Sequence, residues 1–132
     1  MNVEKRDNIL FGDYRPDRYG PHGNFAPRFT GLSLDQVKSL VELGAMETEM
    51  NQNGSPTTRE FMDYLGLYPD AKVSGFATHR PSDTVAVITS VTLRTDDSAA
   101  IAAFVAEFHY ADEFTIHWDV SENKFECYAW WD

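Results

Sequence analysis

Five side chains near the C-terminal end are equipped for proton transfer or metal ligation: His109, Asp112, Glu113, His117 and Asp119, with His79 able to join them from an earlier segment. Imidazole and carboxylate together serve as general acid and base, or as ligands for a cation. Their spacing, however, is unspecific. His109 and Asp112 straddle the expected end of a helix, and His117 and Asp119 fall on one side of an expected strand, where such residues ordinarily decorate a solvated face. No Gly-rich phosphate loop, nucleophile elbow, His-Glu-x-x-His or paired-Cys motif accompanies them. Glu47, Glu49 and Asn51 alternate as some oxygen-rich cation loops do, but the full Asp-x-Asp-x-Asn-Gly pattern and its terminal Glu are missing. Catalytic residues, a metal and a cofactor are therefore not assigned. Cys127 is the only cysteine, so no intrachain disulfide can form. Its strand spacing between Phe125 and Ala129 suits a buried, inert thiol.

A second set of such residues requires the N-terminal segment. Residues 1–31 contain Gly12, Gly20, Gly23 and Gly31 with Pro16, Pro21 and Pro27, a density of breakers that predicts an extended arm. Among them stand Phe11, Tyr14, Tyr19, Phe25 and Phe29 beside Arg15, Arg18 and Arg28, too aromatic a composition for a disordered tail. An arm of this kind wraps the rest of the chain. A pocket between it and a sheet, lined by Tyr14, Tyr19, His22, His109 and His117, is the arrangement by which the chain could be a small enzyme or small-molecule binder.

The elements that must position these groups follow from periodicity. With 132 residues and 42% hydrophobic content the chain is expected to form one domain, residues 1–132. Ser33 and Gln36 form a capping-box pattern ahead of Leu34, Val37, Leu40 and Val41, with Gly44 as the stop. A second helix starts near Ser55-Pro56 or at Thr57 with Glu60, carries Phe61, Met62 and Leu65 on one stripe, and ends at Gly66 to Pro69. These two form a helical pair over residues 32–68. Residues 72–132 read as ββαββ: Lys72–Arg80 and Asp83–Thr95 as one hairpin, a helix capped by Thr95-Asp96-Asp97-Ser98, and a second hairpin turning at residues 120–124. In the long strand, Val85, Val87, Thr89, Val91 and Leu93 share one parity. The expected fold class is α+β: two N-terminal helices, then a ββαββ unit forming a mainly antiparallel sheet backed by helices.

Charge and aromatic residues give the functional expectation. The net charge of −10 is uneven: residues 1–31 carry five bases and four acids, residues 32–95 five and eight, and residues 96–132 one and nine. All three tryptophans, Trp118, Trp130 and Trp131, lie in the last fifteen positions. Clustered bases are absent, which disfavours direct nucleic-acid binding. No apolar run of membrane-spanning length and no N-terminal signal pattern occurs, so no membrane association and a cytoplasmic location are expected. If Phe125, Cys127, Ala129 and Trp131 face the core, then Glu126, Tyr128 and Trp130 face away, beside Thr115, His117 and Asp119 of the neighbouring strand. The resulting acidic, aromatic face has two readings. Either the N-terminal arm covers it, or Tyr128, Trp130, Glu126, His117 and Asp119 meet a partner, a basic protein being the easiest to accommodate. The second reading makes the chain a non-enzymatic binding module of the inhibitor, immunity-type, adaptor or nucleic-acid-decoy kind.

Overall fold

Short local signals start and stop most of the helices. In the computed structural model, which describes residues 2–12, 27–78 and 85–132, the first helix is α1 (Val3–Phe11), capped where the Asn2 side chain accepts from the Lys5 backbone N–H at 3.1 Å. Strand β1 (Arg28–Leu32) follows, then α2 (Leu34–Leu43) and α3 (Thr58–Leu67). Both of these helices open with complete capping boxes, Ser33 with Gln36 and Thr57 with Glu60, each satisfying two otherwise orphan backbone donors. Gly44 closes α2 in the left-handed region, at φ 84°, where a side chain would be strained. Strands β2 (Lys72–Ala77) and β3 (Ala86–Thr95), helix α4 (Ser98–Phe108) and strands β4 (Glu113–Asp119) and β5 (Lys124–Trp130) complete the order, with Asp97 capping α4. The protein is α+β, with a five-stranded antiparallel sheet in the order β1-β2-β3-β5-β4.

Residues 1–31 are therefore not wholly an extended arm. Helix α1 escaped the sequence reading because its buried side includes Arg6 and Asp7, which break the apolar stripe by which an amphipathic helix is recognised. Arg6 is fully buried; it holds Asp7 at 3.1 Å and donates to the Thr78 carbonyl at 2.7 Å, which ties α1 to the end of β2. Strand β1 is short and irregular, with its register shifting between Phe29 and Leu32 around Gly31 at φ 70°.

Inside β3 the simple alternation also fails, through a bulge. Ser74 pairs with Ser90 and Gly75 with Ile88, leaving Thr89 as the extra residue. Ala86 and Ile88 thus face the helices before the bulge, Val91 and Leu93 after it, and Val87 is turned to the other side, outside the core cluster. The Thr89 carbonyl accepts from the Trp131 N–H at 2.9 Å. Gly75 lies directly opposite, where a Cβ would overlap the Val87 carbonyl oxygen and lie 3.0 Å from the Ile88 Cα. A glycine is needed there for close backbone approach.

The core sits on one side of the sheet. Phe29, Leu32, Val73, Val91, Leu93, Cys127 and Ala129 from the strands meet Leu10, Val37, Leu40, Phe61, Leu65 and Phe104 from the helices. At its centre Phe108 packs against Phe61, Tyr64, Phe104 and Trp131, with ring centroids 6.2, 4.7, 5.0 and 6.0 Å away. Phe114 and Ile116 of β4 reach this cluster, whereas Trp118 lies beyond it, edge-on to Phe125 and 45% exposed. No helix of the described residues is long and apolar enough to cross a membrane.

Candidate functional site

The side of the sheet turned away from the core cluster carries the residues singled out from the sequence. Cross-strand register sets Trp130 beside Glu113, Tyr128 beside Thr115 and Glu126 beside His117, with Asp119 opposite Lys124 at the hairpin end. On the inner flank of β5, Ser90 and Thr92 of β3 pair with Trp130 and Tyr128. Tyr128, Trp130, Glu126, His117 and Asp119 therefore share one face. Tyr128 and Trp130 are partly buried and His117 is exposed.

Two adjoining depressions run across this face. One, of about 240 Å³, has a floor of Ser74, Gly75, Thr89 and Ser90 and walls that include Arg28, Tyr128 and Trp130. The other, of about 440 Å³, shares Thr30, Ser74 and Thr92 with it and ends among Asp70, Lys72, Arg94 and Glu126. The floor is built of hydroxyls and backbone and the walls of aromatic rings and charge, a surface able to desolvate a partner's side chain while offering hydrogen bonds at its edge. Burial and the nearby Glu113 carboxylate push the Tyr128 phenol above its ordinary value, with Arg28 opposing them. Tyr128 is thus a neutral donor and acceptor at physiological pH.

Charge on this face differs from the composition of the strands that contribute most to it. Of the nine acids in residues 96–132, only Glu113, Asp119 and Glu126 stand here, and the sheet sets Arg28, Lys72, Arg94 and Lys124 among them. Arg94 meets Glu126 at 2.7 Å and Asp119 at 3.5 Å. Asp119 also accepts from the Ser121 hydroxyl at 2.7 Å and from the backbone N–H groups of Ser121 and Glu122; these bonds, the hydroxyl first, hold its carboxyl below the usual range. It is a turn-forming carboxylate as much as a surface one. The face is balanced in charge, because β1, β2 and β3 place their bases on the same side as the acids of β4 and β5.

The proton-transfer candidates do not converge. His109 caps the end of α4 on the helical side of the sheet, whereas His117 lies on the opposite face. Asp112 accepts from the Asp132 backbone N–H at 2.9 Å, and Asn53 donates to the Asp132 carbonyl at 2.6 Å, so Asp112, a candidate ligand by residue type, is engaged in holding Asp132. Among the described residues no three His, Cys, Asp or Glu side chains come together to hold a metal ion. His79 and, of the alternative pocket, Tyr14, Tyr19 and His22 lie outside the described residues, as does the middle of the arm expected to cover the sheet. Cys127 is fully buried in the core, and burial, then Glu126, pushes its thiol up, away from nucleophilic use.

A third depression went unnoticed in the sequence, since its residues come from two helices whose contact no local pattern announces. Helices α3 and α4 leave between them a groove of about 510 Å³, floored by Tyr64, Tyr68, Ala103 and Ala106 and edged by Glu60, Asp63 and Glu107. Tyr64 is 5% exposed, and its hydroxyl is buried with no hydrogen-bond partner among the described residues. Desolvation raises its pKa well above the phenol range. Comparison with known protein families, with curated proteins and with solved structures finds no match to this chain.

Proposed function

We propose that this protein is a non-enzymatic protein-binding module whose contact surface is the face of the sheet turned away from the core cluster, with Tyr128 and Trp130 as anchors. The observation that carries this reading is that two large amphipathic rings stand side by side on β5, outside the core cluster, over a trench floored by hydroxyls. Such rings desolvate a large area at small entropic cost and keep a polar atom for the partner. Glu126, His117 and Asp119 form the polar margin beyond them. Because Arg28, Lys72 and Arg94 share the face, the partner surface that fits is an apolar patch ringed by charge of both signs. The inhibitor, immunity-type and adaptor forms of this function all suit such a face. A nucleic-acid decoy has less support, since its carboxylates should be free, and Glu126 and Asp119 are engaged by Arg94.

The test is capture of the partner from lysate of the protein's own source, followed by calorimetric titration of the recovered protein. Trp130→Ala should weaken the complex by about 30-fold, on the order of 2 kcal/mol. The melting temperature should stay within a few degrees of wild type, as Trp130 lies outside the core cluster. Equal affinity of wild type and variant would remove the sheet face as the contact surface.

A further inference from the structure

Helix α4 is built as a buried helix is built, yet one side of it is exposed. Of its eleven residues, Ser-Ala-Ala-Ile-Ala-Ala-Phe-Val-Ala-Glu-Phe, only Glu107 is charged. A helix apolar all round is ordinarily covered all round. Here Phe104 and Phe108 enter the core, while Ala99, Ala102 and Ala106 are exposed and Ala103 and Ala106 line the groove formed with α3. Small side chains there keep the floor low enough for another helix to approach closely.

The ends of this groove carry two of the four large apolar side chains exposed among the described residues. Leu67, 77% exposed, closes α3, and Tyr110, 52% exposed, follows α4 at the opposite end, within the electrostatic reach of Glu60 and Glu107. Leu67 in turn adjoins the start of α4, around Asp96, Asp97 and Ala100, so the two helices run antiparallel and the groove extends along both. Glu60, Asp63 and Glu107 form its rim, and none of the described residues lining it carries a positive charge. Arg59, next in sequence to Glu60, is held by Glu49 at 2.7 Å.

We infer that the α3–α4 groove is a docking site for an amphipathic helix with an apolar stripe and flanking Lys or Arg residues, supplied by a partner protein. At 1.5 Å per residue the ten- and eleven-residue helices accommodate roughly three turns of such a ligand. Apolar side chains at i, i+4 and i+7 would rest on Ala103, Ala106 and Tyr68, and its bases would reach the three carboxylates. A second copy of this chain fits poorly. A two-fold contact sets a patch against itself, and Glu60, Asp63 and Glu107 would then face their own counterparts. The site is separate from the sheet face, on the other side of the molecule.

A fluorescein-labelled synthetic helical peptide of roughly 18 residues, with Leu at i, i+4, i+7 and i+11 and Lys on both flanks, is titrated with the intact protein; a peptide with the same Leu stripe and Glu flanks is the comparison. The Lys peptide should bind saturably and about tenfold or more tighter than the Glu peptide. Ala106→Arg, at an exposed helical position, should weaken it by about tenfold through occlusion and repulsion, and Asp63→Lys should do so by about threefold to tenfold. Trp130→Ala should leave it unchanged, which separates failure of this site from failure of the sheet face. The inference is overturned if the Lys peptide does not bind saturably, if the two peptides bind equally, or if both groove variants bind as wild type does. Should Ala106→Arg lower the melting temperature, Asp63→Lys and the backbone amide shifts of α3 and α4 on peptide addition decide the matter: no effect in either place overturns it.

Discussion

The two sides of the sheet handle polarity in opposite ways. On the helical side, aromatic rings are packed so tightly around Phe108 that the Tyr64 hydroxyl and the Trp131 indole N–H are buried with no hydrogen-bond partner among the described residues, each at a cost of about 1–3 kcal/mol. The other side buries far less apolar surface, and sets carboxylates beside guanidinium and ammonium groups that come from distant parts of the chain. The lesson concerns where charge ends up. A C-terminal third with nine acids and one base contributes only three acids to the sheet face, where they meet four bases, whereas three acids line the α3–α4 groove with no base among its described lining residues. Sequence clustering of charge is a poor guide to surface clustering, because strands and helices sort neighbours in sequence onto opposite sides.

The comparison breaks most sharply at its apolar centre. Phe108→Ala removes a ring in contact with four others and leaves a cavity between α3, α4 and Trp131; the expected loss is about 4 kcal/mol, read from the shift in denaturation midpoint at unchanged m-value. A loss no larger than that expected for Trp130→Ala on the opposite side would mean that the two faces are not distinguished by packing at all.

Gly75→Ala is the next largest change, and it acts through the backbone. The added Cβ meets the Val87 carbonyl oxygen at the β3 bulge, so β2 and β3 must separate locally or the bulge must move. The cost expected is about 3 kcal/mol, in the upper range for inserting a methyl group into a packed interior. Hydrogen exchange at Ile88, Thr89 and Trp131 amides should accelerate first, because Trp131 donates to the bulge carbonyl. Uniform acceleration across the sheet would show that the bulge is no separate weak point.

These two positions also mark how far the sequence could be read. The caps were legible, because Ser33 with Gln36 and Thr57 with Glu60 satisfy backbone donors a fixed three residues away. The two faces of β5 were legible for a similar reason, as Cys127, Ala129 and Trp131 alternate toward the core. Strand β3 was not, since a bulge changes parity at Thr89 and nothing in a β-branched run reveals where. Helix α1 was hidden by Arg6, a buried charge whose partners Asp7 and Thr78 are settled only in three dimensions. The balanced charge of the sheet face and the acidic rim of the groove were hidden in the same way. Both are sums over elements far apart in sequence.

The smallest expected effect isolates the polar cost carried by the helical side. Tyr64→Phe removes the unpartnered hydroxyl and little else, so at neutral pH the variant should be about 1 kcal/mol more stable than wild type, the low end of the cost of an unmet buried hydroxyl. The difference should open in alkali. Burial holds the folded Tyr64 phenol above the ordinary value of 10.0, so its contribution is intact below that pH and is lost as pH rises, because the unfolded chain ionises first. Each such group steepens the fall in wild-type stability by up to about 1.4 kcal/mol per pH unit. Tyr110 and Tyr128 are shifted the same way, chiefly by burial, so the variant should still lose stability in alkali, but more gradually. Denaturation midpoints between pH 9 and 11 measure the difference in slope directly. Parallel curves would show that Tyr64 ionises as freely in the fold as out of it, and the floor of the groove would then be wetter than its packing against Tyr68 and Phe108 implies.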